Sequence, residues 1–478
     1  MTVLIPVSSS SAYTRIDSYD SYGYNAWGES VAMPDGYLPE GVFYGKDLGC
    51  SPLKEPSDIN ISSKGDIYIA DSANDRIVVL GSDLKFRYEI TGLTSESGET
   101  DSLSYPTGVY CDDNDLLYIA DSENGRVLKI DQTGRILNVF SEPDDEDIRN
   151  LIEYKPGKVM ADSSGVVYVL VSGLYRGAIT YNSEGGFTGF FASNTIELQI
   201  SLFLKRFNKL FMTDIQQRKQ YRVIPYEISN FALDDRGFVY TSSSSLISDT
   251  SRNEIKKFNF AGINIYTGSR SDTPAAWNSS DFGDIEKSLV KGSLVDTSFS
   301  DLTVDDKGFV SAVDAARGRV FQYDTSANLV FIFGGTGNQA GTFQIPSAID
   351  SYKDKLYVLD FFKNSITVFG TTDIGERIRQ AVSLHNQGLY VESVSIWEDV
   401  LKISTNYELA YVGLGKAYYQ LGQYRTAMKY FSLGNDLHGY SLAGAGYRSE
   451  FTAQNYGWIA LAVVLITALL FTRSFYRK

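Results

Sequence analysis

The chain has 478 residues, enough for two or three domains with full cores, and a net charge of −15, which disfavours a surface built to neutralise a nucleic-acid backbone. Its only histidines are His385 and His438, and its only cysteines, Cys50 and Cys111, match neither a zinc site nor a disulfide scaffold by spacing. They read as two unpaired thiols.

The N-terminal stretch 1–12 has a short apolar run followed by small residues, the pattern at the end of a secretory signal, although no positive segment precedes it. Residues 13–40 are rich in Tyr, Ser and Gly without a helical or strand period. They are expected to drape over the following domain as an ordered lead-in.

From residue 41 to 372 one unit returns six times. Gly65-Asp-Ile-Tyr-Ile-Ala-Asp-Ser-Ala-Asn-Asp-Arg-Ile-Val-Val-Leu80 reads as two short strands joined by turn-forming residues. Its copies place Tyr68, Tyr118, Tyr168, Tyr240, Ser311 and Tyr357 in equivalent positions, at intervals of 50, 50, 72, 71 and 46 residues. That spacing is close to a propeller blade, and a β-sandwich gives no reason for a fixed interval. A typical blade opens on Pro56, Pro106 or Pro346. The last hairpin, 355–369, is followed by no fourth strand, so the segment 41–49 is expected to supply it and close the ring.

The pattern Pro-x-Gly-x-x-x-Asp followed by Gly-x-x-Tyr-Ile-Ala-Asp-Ser-x-Asn-x-Arg-Ile resembles the NHL repeat of six-bladed propellers. Asp71, Asn74 and Arg76, and Asp121, Asn124 and Arg126, carry it best. Blade 3 has Val171 and blade 4 has Ser243 where the Asp belongs, while Asp314 and Asp360 retain it. These aspartates are expected to hold backbone N–H groups in turns, with the Arg paired to them.

Two insertions interrupt the period. Around 195–224, Phe203, Phe207, Leu210 and Phe211 share one helical face, which suits either a lid packed on the propeller or a helix for a membrane surface or partner. Residues 267–292 read as a polar surface loop.

After 372 the period becomes helical. Gly388 and Gly422, Tyr390 and Tyr424, and Trp397 and Phe431 are each 34 residues apart, and the segment 373–455 resembles tetratricopeptide repeats. Such arrays imply peptide or protein partners, or a rigid spacer. The final apolar segment, 456–473, reads as a transmembrane helix. Arg473 ends it and Arg477 and Lys478 follow, which predicts a cytoplasmic tail at 474–478 and the body of the protein outside.

The fold expected is mainly β: a six-bladed NHL-like propeller closed by an N-terminal strand, then tetratricopeptide-like helices and one transmembrane helix. The resemblance further implies a bacterial, single-pass cell-membrane protein. Its role is read as non-catalytic binding or scaffolding for protein partners, among them a membrane complex such as a solute-uptake transporter, with no nucleic acid. No catalytic, metal or cofactor residue is assigned and no cofactor is expected, because the ring lacks histidine. The alternatives are a metal-dependent lactonase-like enzyme and a glycan-binding module.

Overall fold

The computed structural model describes residues 21–475 except 26, 96, 150–152, 175, 192–227, 244–254, 260–261, 267–281, 286–287 and 291–292. The signal-like segment 1–12, the start of the lead-in, the insertion 195–224 and most of 267–292 therefore lie outside the described residues.

Six antiparallel sheets stand around one axis. Their innermost strands are Pro56–Ile61, Pro106–Cys111, Pro156–Ala161, Ile228–Leu233, Phe299–Val304 and Pro346–Tyr352. The second strands are apolar on both faces because each lies between two neighbouring blades. Ile67–Asp71 and Leu117–Asp121 are buried along their whole length, whereas the outer strand Phe86–Ile90 alternates between exposed and partly covered. The repeated tyrosines pack in these inter-blade layers, Tyr68 between blades 1 and 2 and Tyr118 between blades 2 and 3. Blade 4 has three named strands among the described residues.

Every inner strand carries a bulge at its second residue. In four blades the bulged Ser or Thr bonds the first carbonyl of the next blade. Ser57 Oγ donates to Pro106 O at 3.4 Å, Thr107 Oγ1 to Pro156 O at 3.0 Å, Ser300 Oγ to Pro346 O at 3.1 Å and Ser347 Oγ to Pro56 O at 2.8 Å. The bulge spends one residue of each ladder on the neighbouring sheet.

Ring closure comes from the N-terminal side, as the sequence predicts, but from Tyr37–Tyr44, with Thr371 opposite Tyr37 and Ser365 opposite Tyr44. The expected segment begins four residues too late. After the strand the chain coils into the short turn Gly45–Leu48, which needs a glycine at its start because a Cβ there would lie 2.6 Å from Ser51 O. Before the strand, Tyr22–Tyr24 and Ser30–Ala32 form a hairpin, so the described part of the lead-in is ordered against the propeller.

Six helices follow: α1 (Asp373–Asn386), α2 (Tyr390–Ile403), α3 (Glu408–Gln420), α4 (Tyr424–Leu433), α5 (Leu437–Gln454) and α6 (Tyr456–Phe475). The paired glycines explain the 34-residue interval. Gly388 (φ 80°) and Gly422 (φ 73°) both take the left-handed conformation between helices. Trp397 lies against Gly413, and Phe431 against Gly415 and Gly439.

The helices share a core with the propeller. Ile378, Ala381, Trp397, Tyr407 and Leu414 pack with Phe309, Phe331, Val358 and Phe369 of blades 5 and 6. Thr372 Oγ1 caps α1 through the Gly375 N–H at 3.0 Å. Arg379, 2% exposed, places Nη2 2.8 Å from Asp305 Oδ2 and donates from Nη1 to Tyr37 OH at 2.6 Å. Tyr37 OH also accepts from Gln322, which donates to Ser311 Oγ at 2.9 Å. The one blade lacking the repeated tyrosine thus has a buried polar chain leading to the helices.

Helix α6 is exposed along its apolar length, with a mean hydropathy of 1.8 over 456–473. Its 20 residues span about 30 Å, long enough to cross a bilayer core.

The seam between ring and helices yields a test. A Cβ on Gly375 would lie 2.1 Å from Gly36 O, a backbone atom fixed beside the closing strand. Gly375→Ala should lose roughly 1–3 kcal/mol of stability through overpacking, read as a lower thermal midpoint; an unchanged midpoint would refute the tight seam.

Candidate functional site

Inward-facing positions of the inner strands point at the axis. Because strand side chains alternate, the third and fifth residues of each strand share that face after the bulge. These positions hold Asp58, Lys158, Asn230 and Asp301 in one tier, and Asn60, Tyr110, Met160, Thr303 and Asp350 in the next. Together they line a cavity of about 250 Å³, room for on the order of eight waters. Ser62, Ser63, Asp113 and Ser351 also line it, so it reaches the end of the ring where the inner strands finish. Helix α1 docks at that same end, since Arg379 pairs there with Asp305, one residue beyond the strand Phe299–Val304.

The axial carboxylates have two tasks. The first is structural: Asp58 Oδ2 accepts the Val109 N–H at 2.9 Å, Asp301 Oδ2 the Ile349 N–H at 2.8 Å and Asp350 Oδ2 the Ile61 N–H at 2.7 Å. Asn60 Oδ1 does likewise for the Cys111 N–H at 2.8 Å. Each bond crosses to a neighbouring blade.

The second task is electrostatic. Lys158 Nζ bonds Asp58 Oδ1 and lies 3.9 Å from Asp301 Oδ2. One ammonium thus faces two buried carboxyl groups, Asp58 and Asp301, and the half-buried Asp350. Burial pushes Asp301 up to about 7, against the pull of Lys158, and pushes Asp350 up to about 6; Asp58 is also raised, burial being the main cause. Lys158 is raised despite burial, because Asp301 and Asp58 favour its charged form. The site therefore holds carboxyl groups that gain or lose protons near neutrality beside a retained cation.

The cysteines are both free thiols. Cys111 lines the cavity, and burial pushes it up to about 12. Among the described residues no group of three or more His, Cys, Asp or Glu side chains is disposed to hold a metal ion.

The repeat aspartates sit elsewhere, at the opposite end of the second strands. Asp71 Oδ1 accepts the Lys54 N–H at 2.6 Å, and its Oδ2 accepts from Asn74 and from Arg76 Nε. Asp121 repeats the arrangement with Ser104, Asn124 and Arg126. They are turn clamps, as their spacing suggests.

Sequence reasoning assigned no site residue and so missed Asp58, Lys158, Asn230, Asp301 and Asp350. A usable signal was present: polar residues at alternate positions of otherwise apolar inner strands, aligned across blades.

A profile of the NHL repeat family matches residues 103–130, which is the second blade's first three strands. No curated protein matches the chain in sequence. Among solved structures, virginiamycin B lyase from Staphylococcus aureus is 10% identical, with a TM-score of 0.39 over 70% of this chain and 98% of the other. The PQQ-bound aldose sugar dehydrogenase from Streptomyces coelicolor is 12% identical, with a TM-score of 0.40 over 70% and 98%. A protein assigned as a gluconolactonase is 12% identical, with a TM-score of 0.37 over 71% and 94%.

These names correct the expectation of a non-enzyme: propellers similar to this one include a lyase and a dehydrogenase. The likeness is one of fold and carries no reaction to this chain. The physical reason for the correction lies in the ring itself. Histidine is not required for proton transfer near neutrality when burial lifts a carboxyl as it lifts Asp301.

The raised carboxyls set a sign for stability against pH. A folded-state value above the free carboxyl's, near 4, contributes stability at low pH that is lost as pH rises through the folded value. Asp301, Asp350 and Asp314, all between about 6 and 7, act in that direction, and half-buried His385, shifted down mainly by desolvation, acts against them. The thermal midpoint should therefore fall from pH 5 to pH 8, with a shallower slope in Asp301→Asn. A rising midpoint would contradict the assignment.

Lys158→Met removes the one ammonium that, among the described residues, is bonded to these carboxyls. It should cost about 3–5 kcal/mol near pH 8 and less near pH 5.5, where protonated carboxyls need no counter-charge. Denaturant unfolding at the two pH values measures the difference.

Proposed function

We propose that this protein is a membrane-tethered binding protein with its propeller and helices outside the cytoplasm and its tail, 474–478, inside. Its tetratricopeptide-like array and the adjoining end of the ring form one working face for protein partners, of the kind found in a membrane assembly such as a solute-uptake transporter.

The observation that carries this reading is the shared core between α1, α2, α3 and blades 5 and 6, at the end of the ring where the axial cavity opens. A partner held by the helices lies beside that mouth. Tyr407 OH, donating to Val330 O at 3.3 Å, and the buried Arg379 and Asp305 pair hold the array to the propeller. Arg473 in the last turn of α6, with Arg477 and Lys478 beyond it in the sequence, supports the orientation.

Photo-crosslinkers placed on the exposed faces of α2 and α4, in native membranes, test the partner assignment. Crosslinks to integral membrane proteins are the expected result, and their absence would defeat it. A chain ending at residue 454 should move to the soluble fraction while keeping the full-length protein's circular dichroism; continued membrane association would defeat tethering by α6.

A second reading rests on Asp301. A carboxyl pushed up to about 7 beside a retained lysine ammonium is suited to general acid or base work on a small polar molecule in the cavity. Hydrolysis of simple lactones by the purified protein, lost at least 100-fold in Asp301→Asn, is the expected outcome. No turnover by the unaltered protein would remove this reading.

A further inference from the structure

Three blades offer an internal comparison. Blades 1, 2 and 5 each pair an Asp at the end of the second strand with an Arg at the start of the third: Asp71 opposite Arg76, Asp121 opposite Arg126, Asp314 opposite Arg319. In blades 1 and 2 the Arg Nε donates to its Asp Oδ2 at 2.6 and 2.8 Å, and Asn74 or Asn124 donates to the same oxygen.

Blade 5 breaks the pattern. Arg317 replaces the Asn, and both Arg317 and Arg319 donate from Nη1 to Asp284 Oδ2 instead. The other oxygen of Asp284 accepts from Tyr24 OH at 2.6 Å and from Tyr22 OH. Those tyrosines belong to the N-terminal hairpin, and the Arg319 guanidinium also lies 5.0 Å from the Tyr22 ring centre. Asp284 is shifted down despite burial, chiefly by Arg319 and the two tyrosine hydroxyls.

The cost falls on Asp314. Its Oδ1 still accepts the Ser298 and Ala316 N–H groups, both at 2.9 Å, but its Oδ2 accepts nothing, although the residue is 0% exposed. A buried carboxyl oxygen without a donor is disfavoured, and burial pushes this group up to about 6.

We propose that the N-terminal hairpin is a releasable strap and that Arg319 has two seats, on Asp284 while the hairpin is docked and on Asp314 when it lifts. The second seat already exists in the protein, since it is the one Arg76 and Arg126 occupy in blades 1 and 2. Lifting the hairpin gives up the tyrosine bonds to Asp284 and satisfies Asp314, so the two states draw on the same cation. The hairpin borders the outer strand Leu329–Gly334 of blade 5, and its release uncovers the side of that strand where Ile332 packs with Tyr22 and Tyr24.

Hydrogen–deuterium exchange on the full chain in detergent tests the strap. Asp314→Asn removes the charge that competes for Arg319, so the hairpin amides 22–24 and 30–33 should exchange severalfold more slowly while those of blades 1 and 2 are unaffected. Unchanged hairpin exchange would overturn the proposal. Should that variant fail to fold, the double variant Tyr22→Phe with Tyr24→Phe reports from the other side. Its hairpin should exchange at least tenfold faster, and the Ser298 and Ala316 amides should slow as Arg319 moves to Asp314. Faster hairpin exchange with no change at those two amides would mean that Arg319 has a single seat.

Discussion

The ring depends on polar side chains of the inner strands reaching across to the next blade. Six separate sheets share no backbone ladder, so apolar packing alone would let them slide. Asp58, Asn60, Asp301 and Asp350 each accept a neighbouring blade's N–H group, and Ser57, Thr107, Ser300 and Ser347 each donate to a neighbouring blade's carbonyl. These directional bonds set the register between sheets. They also crowd carboxyl groups around the axis, where, among the described residues, one lysine supplies the bonded counter-charge. Structural need and unusual protonation therefore have one origin.

The blades lacking this stitching are informative. Gly157 has no hydroxyl to offer, and Ser229 bonds Ser242 within its own blade. Blade 4 and its borders are also where the two insertions interrupt the repeat. Here the ring relies on aromatic packing, with Tyr168 edge-on to Phe191, Phe191 to Phe258 and Tyr240 to Tyr266.

Much of this fold could be read from the amino acids because repetition averages out local ambiguity. Tyr68 alone says little, whereas five tyrosines in equivalent places define a blade. Ring closure was legible as a missing strand, but its start was not: Tyr37, Leu38 and Pro39 lie in a run with no clear alternation, and only pairing with 369–371 recruits them. The axial site was hidden for a different reason. Asp58 and Asp301 are far apart in sequence, neither belongs to the repeat signature, and their raised values arise from burial that exists only once the ring is complete. The docking of α1 was hidden likewise, since Arg379 in a helical pattern reads as a solvent-facing cation until Asp305 and Tyr37 are brought to it.

The strand that fastens the ring has a consequence for biogenesis. Tyr37–Tyr44 completes its sheet with a strand more than 320 residues later in the chain, and contacts so distant in sequence form late and slowly. As the polypeptide emerges in order, the first five blades assemble while their fastening segment waits without a partner, an adhesive edge on an unfinished protein. A chaperone that shields this segment until the sixth blade arrives would govern the yield of the mature molecule.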